Sequence, residues 1–377
     1  MIMKRVLEIG HVVAGPTAGL LLSDLGYEVI KIESPGKGDI SRRLTGTSSG
    51  AFPFYNRGKK SLTVDLTSNE GREIFLKLVE SADIVIDNLG PGAMTKLSLS
   101  FSDLTKRNFG LIFLSLKGYG KGPYQTRKSL DYPIEVHSGL AYMTGLSGRP
   151  MRAGASLVDM AGAMIGVIAV LNAEIARFAT GKGKYIEIGL FETAAFLVGQ
   201  HIATFQLNKR ELKPINEEGF AWGIYDFFKS RDNREIFIAV TTDNQWKDFC
   251  RAFELTVCTD SNLDSNAKRF ASREFLIGLV SEKMLELEYS EIIERLTKAN
   301  VAYAVLNKPW DLLTDIQLSS KLITETYNEM KLSVPSSPLE ESKLDPPPIL
   351  SEHTESLLKA LGYTERDVKS LRERGII

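Results

Sequence analysis

The residue in this chain best placed to do chemistry is Asp159, in the run Gly154-Ala-Ser-Leu-Val-Asp159-Met-Ala-Gly162 at the mouth of an apolar helical stretch. The helix dipole and the free amides of a first turn favour a carboxylate there, so Asp159 is expected to be ionised at neutral pH. Local context alone reads it as a plain N-cap acid. Ser156 is an alternative cap that would free Asp159. An ionised carboxylate beside glycines and open to substrate is chemically fit to be a covalent nucleophile.

Four glycine-containing loops carry cations or polar side chains: Pro35-Gly-Lys-Gly-Asp39, Asn56-Arg57-Gly-Lys-Lys60, Asn88-Leu-Gly-Pro-Gly92 leading to Lys96, and Lys117-Gly-Tyr-Gly-Lys121. Any one of them reads as an ordinary solvated turn. Together they favour a ligand with a 3′-phosphate and a pyrophosphate, which lysine point charges suit. The first loop, Gly10-His-Val-Val-Ala-Gly15-Pro16-Thr-Ala-Gly19, is not the G-x-G-x-x-G of dinucleotide enzymes, and Pro16 removes an amide a pyrophosphate would use. The histidines, His11, His137, His201 and His353, have no metal-ligand spacing, so no metal site is expected. His137 reads as a partly buried structural residue.

The elements that must position these residues alternate. Lys4–Ile9 reads as a strand, Pro16–Leu25 as a helix with Gly26 past its end, and Glu28–Ile32 as a second strand. Strand signals recur at Ser61–Leu66, Asp83–Asn88, Gly110–Leu116 and Lys184–Leu190, with helices at Ser68–Ser81, near Leu104 and over Met160–Phe178. That alternation predicts an α/β fold, a Rossmann-like large domain around a mainly parallel sheet. After residue 200 the pattern changes to a smaller α+β domain. The predicted division is 1–200 large domain, 201–225 linker, 226–325 small domain, 326–350 proline-rich linker and 351–377 again large domain. The stretch 330–350 reads as an extended, semi-rigid connector.

Lys plus Arg (46) nearly balance Asp plus Glu (47), so there is no bulk attraction to nucleic acid or anionic lipid, and anionic ligands must meet local cations. Cys250 and Cys258 have no metal or redox-motif spacing and fit a reducing compartment better than a disulfide framework. The most apolar run, Met160–Leu171, is short of the roughly 20 residues that cross a bilayer. The expectation is a cytoplasmic protein with no membrane and no nucleic-acid partner.

On the segments VVAGPTAGLLLSDLGYEVIKIESPGKGD, NRGKKSLTVDL, NLGPGAM and TGKGKYIEIGLFETA, the chain resembles the class III CoA-transferase family, which also contains α-methylacyl-CoA racemases. The resemblance implies an acyl-CoA:carboxylate CoA-transferase with Asp159, in LVDMAG, as nucleophile. It also implies a coenzyme A thioester as substrate, a carboxylic acid acceptor, no tightly bound cofactor, and an interlocked homodimer. By the same match Asn56, Lys60, Lys96 and Lys128 fall at CoA-contacting positions, Asn88 and Leu89 lie along the nucleotide, and Asp131 is a second acid near the site. Lys96 stands where relatives often carry Arg, turning a forked contact into a point charge.

Two departures refine that expectation. The racemase branch has a His directly before the upstream Asp, whereas this chain reads Ser129-Leu130-Asp131, so two-base epimerisation is disfavoured. Oxalate-handling relatives carry a glycine-rich loop and a Gln where this chain has Asn216–Trp222 and Val13. Val13, Phe220 and Trp222 would suit a larger or more apolar acyl group than formate or oxalate, by shape.

Overall fold

The computed structural model describes residues 3–219, 221–339 and 345–377. It divides into two compact units, Met1–Thr144 with Arg149–Glu211 and Ile316–Ile377, and Gly145–Gly148 with Leu212–Asp315.

The first unit opens with β1 (Arg5–Ile9), α1 (Ala14–Asp24) and β2 (Glu28–Glu33). It continues with β3 (Lys60–Thr63), α2 (Asn69–Val79), β4 (Ile84–Asp87) and β5 (Ile112–Lys117). Then come α3 (Asp131–Ser138), α4 (Leu157–Thr180), β6 (Lys184–Gly189), α5 (Leu190–Leu197) and α6 (Gly199–Asn208). The six strands form one parallel sheet in the order β3-β2-β1-β4-β5-β6. Neighbouring residues on the inner strands point to opposite, equally buried faces. Leu7, Ile30, Val85 and Phe113 enter one cluster with α2; Val6, Val29, Ile84 and Ile112 enter another with α1 and α4. A sheet covered on both sides explains why these strands read as unbroken apolar runs. The strand order reverses between β1 and β4, which opens a crevice at their carboxyl ends.

α4 is longer than its apolar run. At 24 residues it is long and apolar enough to cross a membrane by length and composition, which corrects the sequence-based length argument. It continues past Leu171 because its polar residues are satisfied within the unit. Glu174 pairs with Lys4 at 3.0 Å, and Arg177 pairs with Asp83 at 2.9 Å. Val167, Val170 and Ala173 are buried against the sheet side, whereas Met164, Ile168, Ile175 and Phe178 are exposed on another face.

The second unit holds β7 (Ile224–Lys229), β8 (Glu235–Val240), α7 (Asp243–Phe253), α8 (Arg273–Glu286), α9 (Tyr289–Lys298) and β9 (Ala302–Val305). Its antiparallel sheet, ordered β7-β8-β9, packs Phe228, Ile236, Trp246, Phe249, Leu276 and Ile292 into one core. Cys250 and Cys258 are joined as a disulfide with Cα atoms 6.0 Å apart, where the sequence reading expected no disulfide framework. The pairing comes from Glu254, left-handed at φ 56°, which ends α7 and turns the chain back toward it.

The chain then returns to the first unit. Residues 330–335, expected in an extended connector, instead form β11 (Met330–Pro335), paired with β10 (Leu322–Tyr327). Asn328 and Glu329 both have positive φ, the requirement of a tight hairpin turn. This hairpin begins inside the stretch assigned by sequence to the small domain, but it belongs to the first unit. α10 (Thr354–Ala360) and α11 (Glu365–Glu373) close the sheet face begun by α2, with Leu357, Leu358, Val368 and Leu371 buried there.

Under the crevice lies a fully buried ion cluster. Glu8 of β1 bonds Lys31 of β2 at 2.8 Å and Lys59 at 2.6 Å, and Lys31 also reaches Asp39 at 2.9 Å. Burial alone would lower the Lys31 pKa, but the carboxylates of Glu8 and Asp39 outweigh it and raise it. Lys59, with fewer acids around it, is lowered by burial to about 8. Gly19 of α1 lets this cluster fit, because a Cβ there would collide with Glu8 Oε2. Gly278 of α8, by contrast, has open space around its Cβ position. Urea unfolding should therefore separate two formally identical changes. Gly278→Ala is expected to stabilise by about 0.5–1 kcal/mol, the helix-propensity gain. Gly19→Ala should destabilise by roughly 1–3 kcal/mol through overpacking against an immobile carboxylate. Equal gains at both sites would refute the tight fit.

Candidate active site

The loops that follow β1, β4 and β5 enclose a cavity of about 580 Å³, lined by His11, Val12, Asn88, Leu89, Lys117, Arg127, Lys128, Asp131 and Asp159 among others. The first two loops are bolted together across the switch point. Asn88 Oδ1 accepts from His11 N at 2.8 Å, and Asn88 Nδ2 donates to His11 O at 2.9 Å. Val12 holds the left-handed region at φ 64°, a costly conformation for a β-branched residue. Its amide donates to Asp39 Oδ1 at 3.3 Å, so the buried ion cluster reaches up to fix the loop. Burial lowers the His11 pKa despite Asp39 nearby, which keeps the imidazole neutral. Lys117 Nζ ties Asp87 at 2.6 Å to the Leu89 carbonyl at 2.7 Å and so holds the second loop.

Asp159 is the third residue of α4 and is half-buried. The amides of Val158 and Asp159 itself both donate to Asp131 Oδ1, each at 3.1 Å. Asp131, the first residue of α3, thus caps α4 from outside. Its other oxygen accepts from Arg152 Nη2 at 3.1 Å. Ser156 sits at the N-cap but makes no side-chain cap bond; its hydroxyl accepts from Arg152 Nη2 at 3.0 Å. The Asp159 carboxyl is consequently neither a cap nor a member of an ion pair. Burial, and then the charge of Asp131, push its pKa up to about 7, with Arg152 offsetting part of the rise. The expectation of a fully ionised group is corrected on this point. The helix amides that would have stabilised the anion are already occupied, and the surroundings are short of water.

A second hollow, of about 700 Å³, shares Asp159, Asp131 and Val12 with the first and is bordered by Val13, Thr47, Ser48, Phe54, Tyr55 and Arg152. Burial, with the charges of Asp159 and Asp131, raises the Tyr55 pKa and keeps its phenol protonated. Asp159 therefore lies on the wall between two cavities, one ringed by Lys117, Arg127 and Lys128, the other by hydroxyls, apolar side chains and Arg152.

Of the residues singled out in the sequence, Asn88, Leu89, Lys128, Asp131 and Asp159 meet in the first cavity, and Val13 borders the second. Others are placed elsewhere. Asn56 is buried beneath the site, accepting from Lys59 Nζ at 3.0 Å and donating to Phe52 O at 3.0 Å. Lys60 begins β3, at the opposite end of the sheet from the crevice, and pairs with Glu28 at 2.6 Å. Lys96 is exposed at the end of a short helical turn and lines neither cavity. Trp222 belongs to the second unit, where its ring lies 5.0 Å from Tyr225, and Phe220 falls outside the described residues. His137 is exposed and bonded to the Tyr119 hydroxyl at 3.0 Å, so it is not a partly buried residue. Sequence reasoning named Lys117, in the Lys117-Gly-Tyr-Gly-Lys121 loop, and passed over Arg152, Arg127 and Tyr55. Of these only Arg127 carried a signal, as the neighbour of Lys128. Among the described residues no cluster suited to a metal ion occurs.

Titration by infrared difference spectroscopy should find a carboxyl band with a midpoint near pH 7 that is absent from Asp159→Asn. In Asp131→Asn, which retains an acceptor oxygen for both amides, the midpoint should move to lower pH. A midpoint in the ordinary carboxylate range in the unaltered protein would contradict the site as described.

Comparison with known proteins bears on this geometry. The chain is 29% identical over 389 residues to the succinyl-CoA:glutarate CoA-transferase of Homo sapiens, covering 99% of this chain and 89% of that protein. It is 31% identical over 394 residues to the succinyl-CoA–L-malate CoA-transferase alpha subunit of Chloroflexus aurantiacus, covering 99% and 91%. The fold is similar to that of a CAIB/BAIF family protein from Brucella suis, with a TM-score of 0.81 and 28% identity over 95% of this chain and 98% of the other. The family model for CoA-transferase family III matches residues 4–354, and the chain belongs to that family of enzymes.

Proposed function

We propose that this enzyme moves CoA between carboxylic acids through covalent intermediates on Asp159. The observation that carries the proposal is the placement of Asp159, uncapped and unpaired, on the wall between a cation-ringed cavity and a second hollow. CoA would occupy the first, with Lys117, Arg127 and Lys128 as point charges and forks for its phosphates. The acyl group would enter the second.

The steps balance as follows. The Asp159 carboxylate attacks the thioester carbonyl of the donor, forming an aspartyl–acyl anhydride and releasing CoA thiolate. The thiolate attacks the aspartyl carbonyl, the donor acid leaves as carboxylate, and aspartyl-CoA thioester remains. An acceptor carboxylate attacks that thioester and expels the thiolate. The returning thiolate then takes the acceptor acyl group and regenerates the Asp159 carboxylate. No net proton is consumed, so a two-base site is unnecessary, in keeping with Leu130 where a racemase has its histidine. A desolvated carboxylate with a pKa near 7 is a stronger nucleophile than an ordinary one, yet it is substantially ionised at neutral pH. The names of the relatives favour succinyl-CoA as donor.

The functional unit we propose is a homodimer, interlocked through the linkers. The exposed face of α4 (Met164, Ile168, Ile175, Phe178), together with Phe196 of α5 and Leu207 of α6, supports this, because so much apolar surface on one unit calls for a cover. Light scattering should give twice the chain mass of 41.8 kDa, and a monomer at micromolar concentration would oppose the assembly. The chemistry is tested by trapping. With succinyl-CoA and hydroxylamine, the peptide containing Asp159 should carry a hydroxamate, and Asp159→Asn should abolish both adduct and turnover. Sustained transfer without any adduct would sink the covalent reading.

A further inference from the structure

The second hollow holds one cation among its described lining residues, Arg152, and the transfer reaction as proposed leaves part of it without a task. Its Nη2 group donates to Asp131 Oδ2 at 3.1 Å and to Ser156 Oγ at 3.0 Å. Among the described residues its Nε and Nη1 groups make no hydrogen bond, and the side chain, 46% exposed, lines the hollow. Arg152 lines the same hollow as Asp159 and bonds Asp131, whose other oxygen accepts from the Asp159 amide, so the two side chains are linked through one carboxylate. The hydroxyl-bearing Thr47, Ser48 and Tyr55 line the same hollow, as do the apolar Val13 and Phe54.

A simple monocarboxylic acid spends its only carboxylate on the anhydride at Asp159 and presents nothing but alkyl surface to these groups. A substrate with a second carboxylate presents an anion to them. That anion would otherwise enter a hollow already carrying Asp131 and Asp159, where an uncompensated charge is costly. The free guanidinium donors and the neighbouring hydroxyls compensate it.

We infer that Arg152 is the specificity-determining residue of the acyl side and that it receives the distal carboxylate of a short aliphatic dicarboxylic acid. This rests on the reading of Asp159 as the acyl-carrying residue and adds to it the residue that selects the acids carried. Arg152 has a double role in this arrangement: Nη2 holds the helix-capping Asp131, while Nε and Nη1 remain to donate to the substrate. Lysine in its place would keep the charge and lose the fork.

The test compares acids of equal chain length, succinate with butyrate and glutarate with valerate, as acceptors from acetyl-CoA. Unaltered enzyme should prefer the dicarboxylic member of each pair. Arg152→Met should lower kcat/KM for the dicarboxylic acids by about 10- to 100-fold, the range for a hydrogen bond to a charged group, mainly through KM. The monocarboxylic acids should bear only the smaller, shared loss that comes from leaving Asp131 without its cation, so the preference for the dicarboxylic member of each pair should collapse. Arg152→Lys should fall between the two. An equal loss for both classes in Arg152→Met would mean that Arg152 only holds Asp131, and would overturn the inference. So would an unaltered enzyme that prefers monocarboxylic acids, although CoA transfer itself would then stand. Absence of a hydroxamate on Asp159 with any donor would instead overturn the covalent reading, and this inference with it.

Discussion

The first two side-chain-accessible amides of the site helix, on Val158 and Asp159, are taken by a carboxylate from another helix, and the chemistry of the site follows from that substitution. A helix N-terminus ordinarily attracts the acid of its own first turn. Here Asp131 fills that role, steadied by Arg152, and Asp159 is left in a desolvated position with no partner to hold its charge. Two acids of similar intrinsic strength are thereby driven to different duties. One is a fixed anion that finishes a helix. The other is a carboxyl poised near neutrality, fit to attack and also to leave.

That arrangement requires the surrounding loops to stay in place, and the sheet supplies the means. The strand order reverses between β1 and β4, and the loops beyond them are joined by the paired hydrogen bonds of Asn88 and His11. The strained Val12 is held from below by Asp39, which belongs to the buried cluster of Glu8, Lys31 and Lys59. Removing one member of such a cluster strands a charge in the interior, which typically costs about 3–5 kcal/mol. The cluster therefore fixes the geometry of the loop more than it adds stability.

Much of the architecture was legible in the sequence. The alternation of apolar runs with amphipathic helices fixed the parallel sheet, and the segment around LVDMAG drew attention to Asp159. What escaped were the consequences of long-range packing. Asp131 lies 28 residues from the amide it caps, and no local pattern encodes that bond. The charge state of Asp159 was misjudged because burial is a tertiary property. The helix itself was read to Phe178, but its apolar run was measured only to Leu171, because Glu174 and Arg177 look like solvated charges until Lys4 and Asp83 are seen beside them. Arg152 gave no signal, since an arginine in a Pro-Met-Arg-Ala-Gly loop is unremarkable until its neighbours are known.

Family membership and fold leave the role of Asp159 as the central claim, and isotope transfer examines it most directly. An acceptor acid labelled with heavy oxygen in its carboxylate attacks the aspartyl thioester, and the bridging oxygen stays on Asp159 when CoA takes the acyl group. After turnover, mass spectrometry of the peptide containing Asp159 should find heavy oxygen in that carboxylate, one atom after the first cycle and both positions on repeated cycles, because each cycle gives one aspartyl oxygen to the departing donor acid and takes one from the acceptor. An unlabelled Asp159 after many turnovers would contradict the covalent account, however active the enzyme.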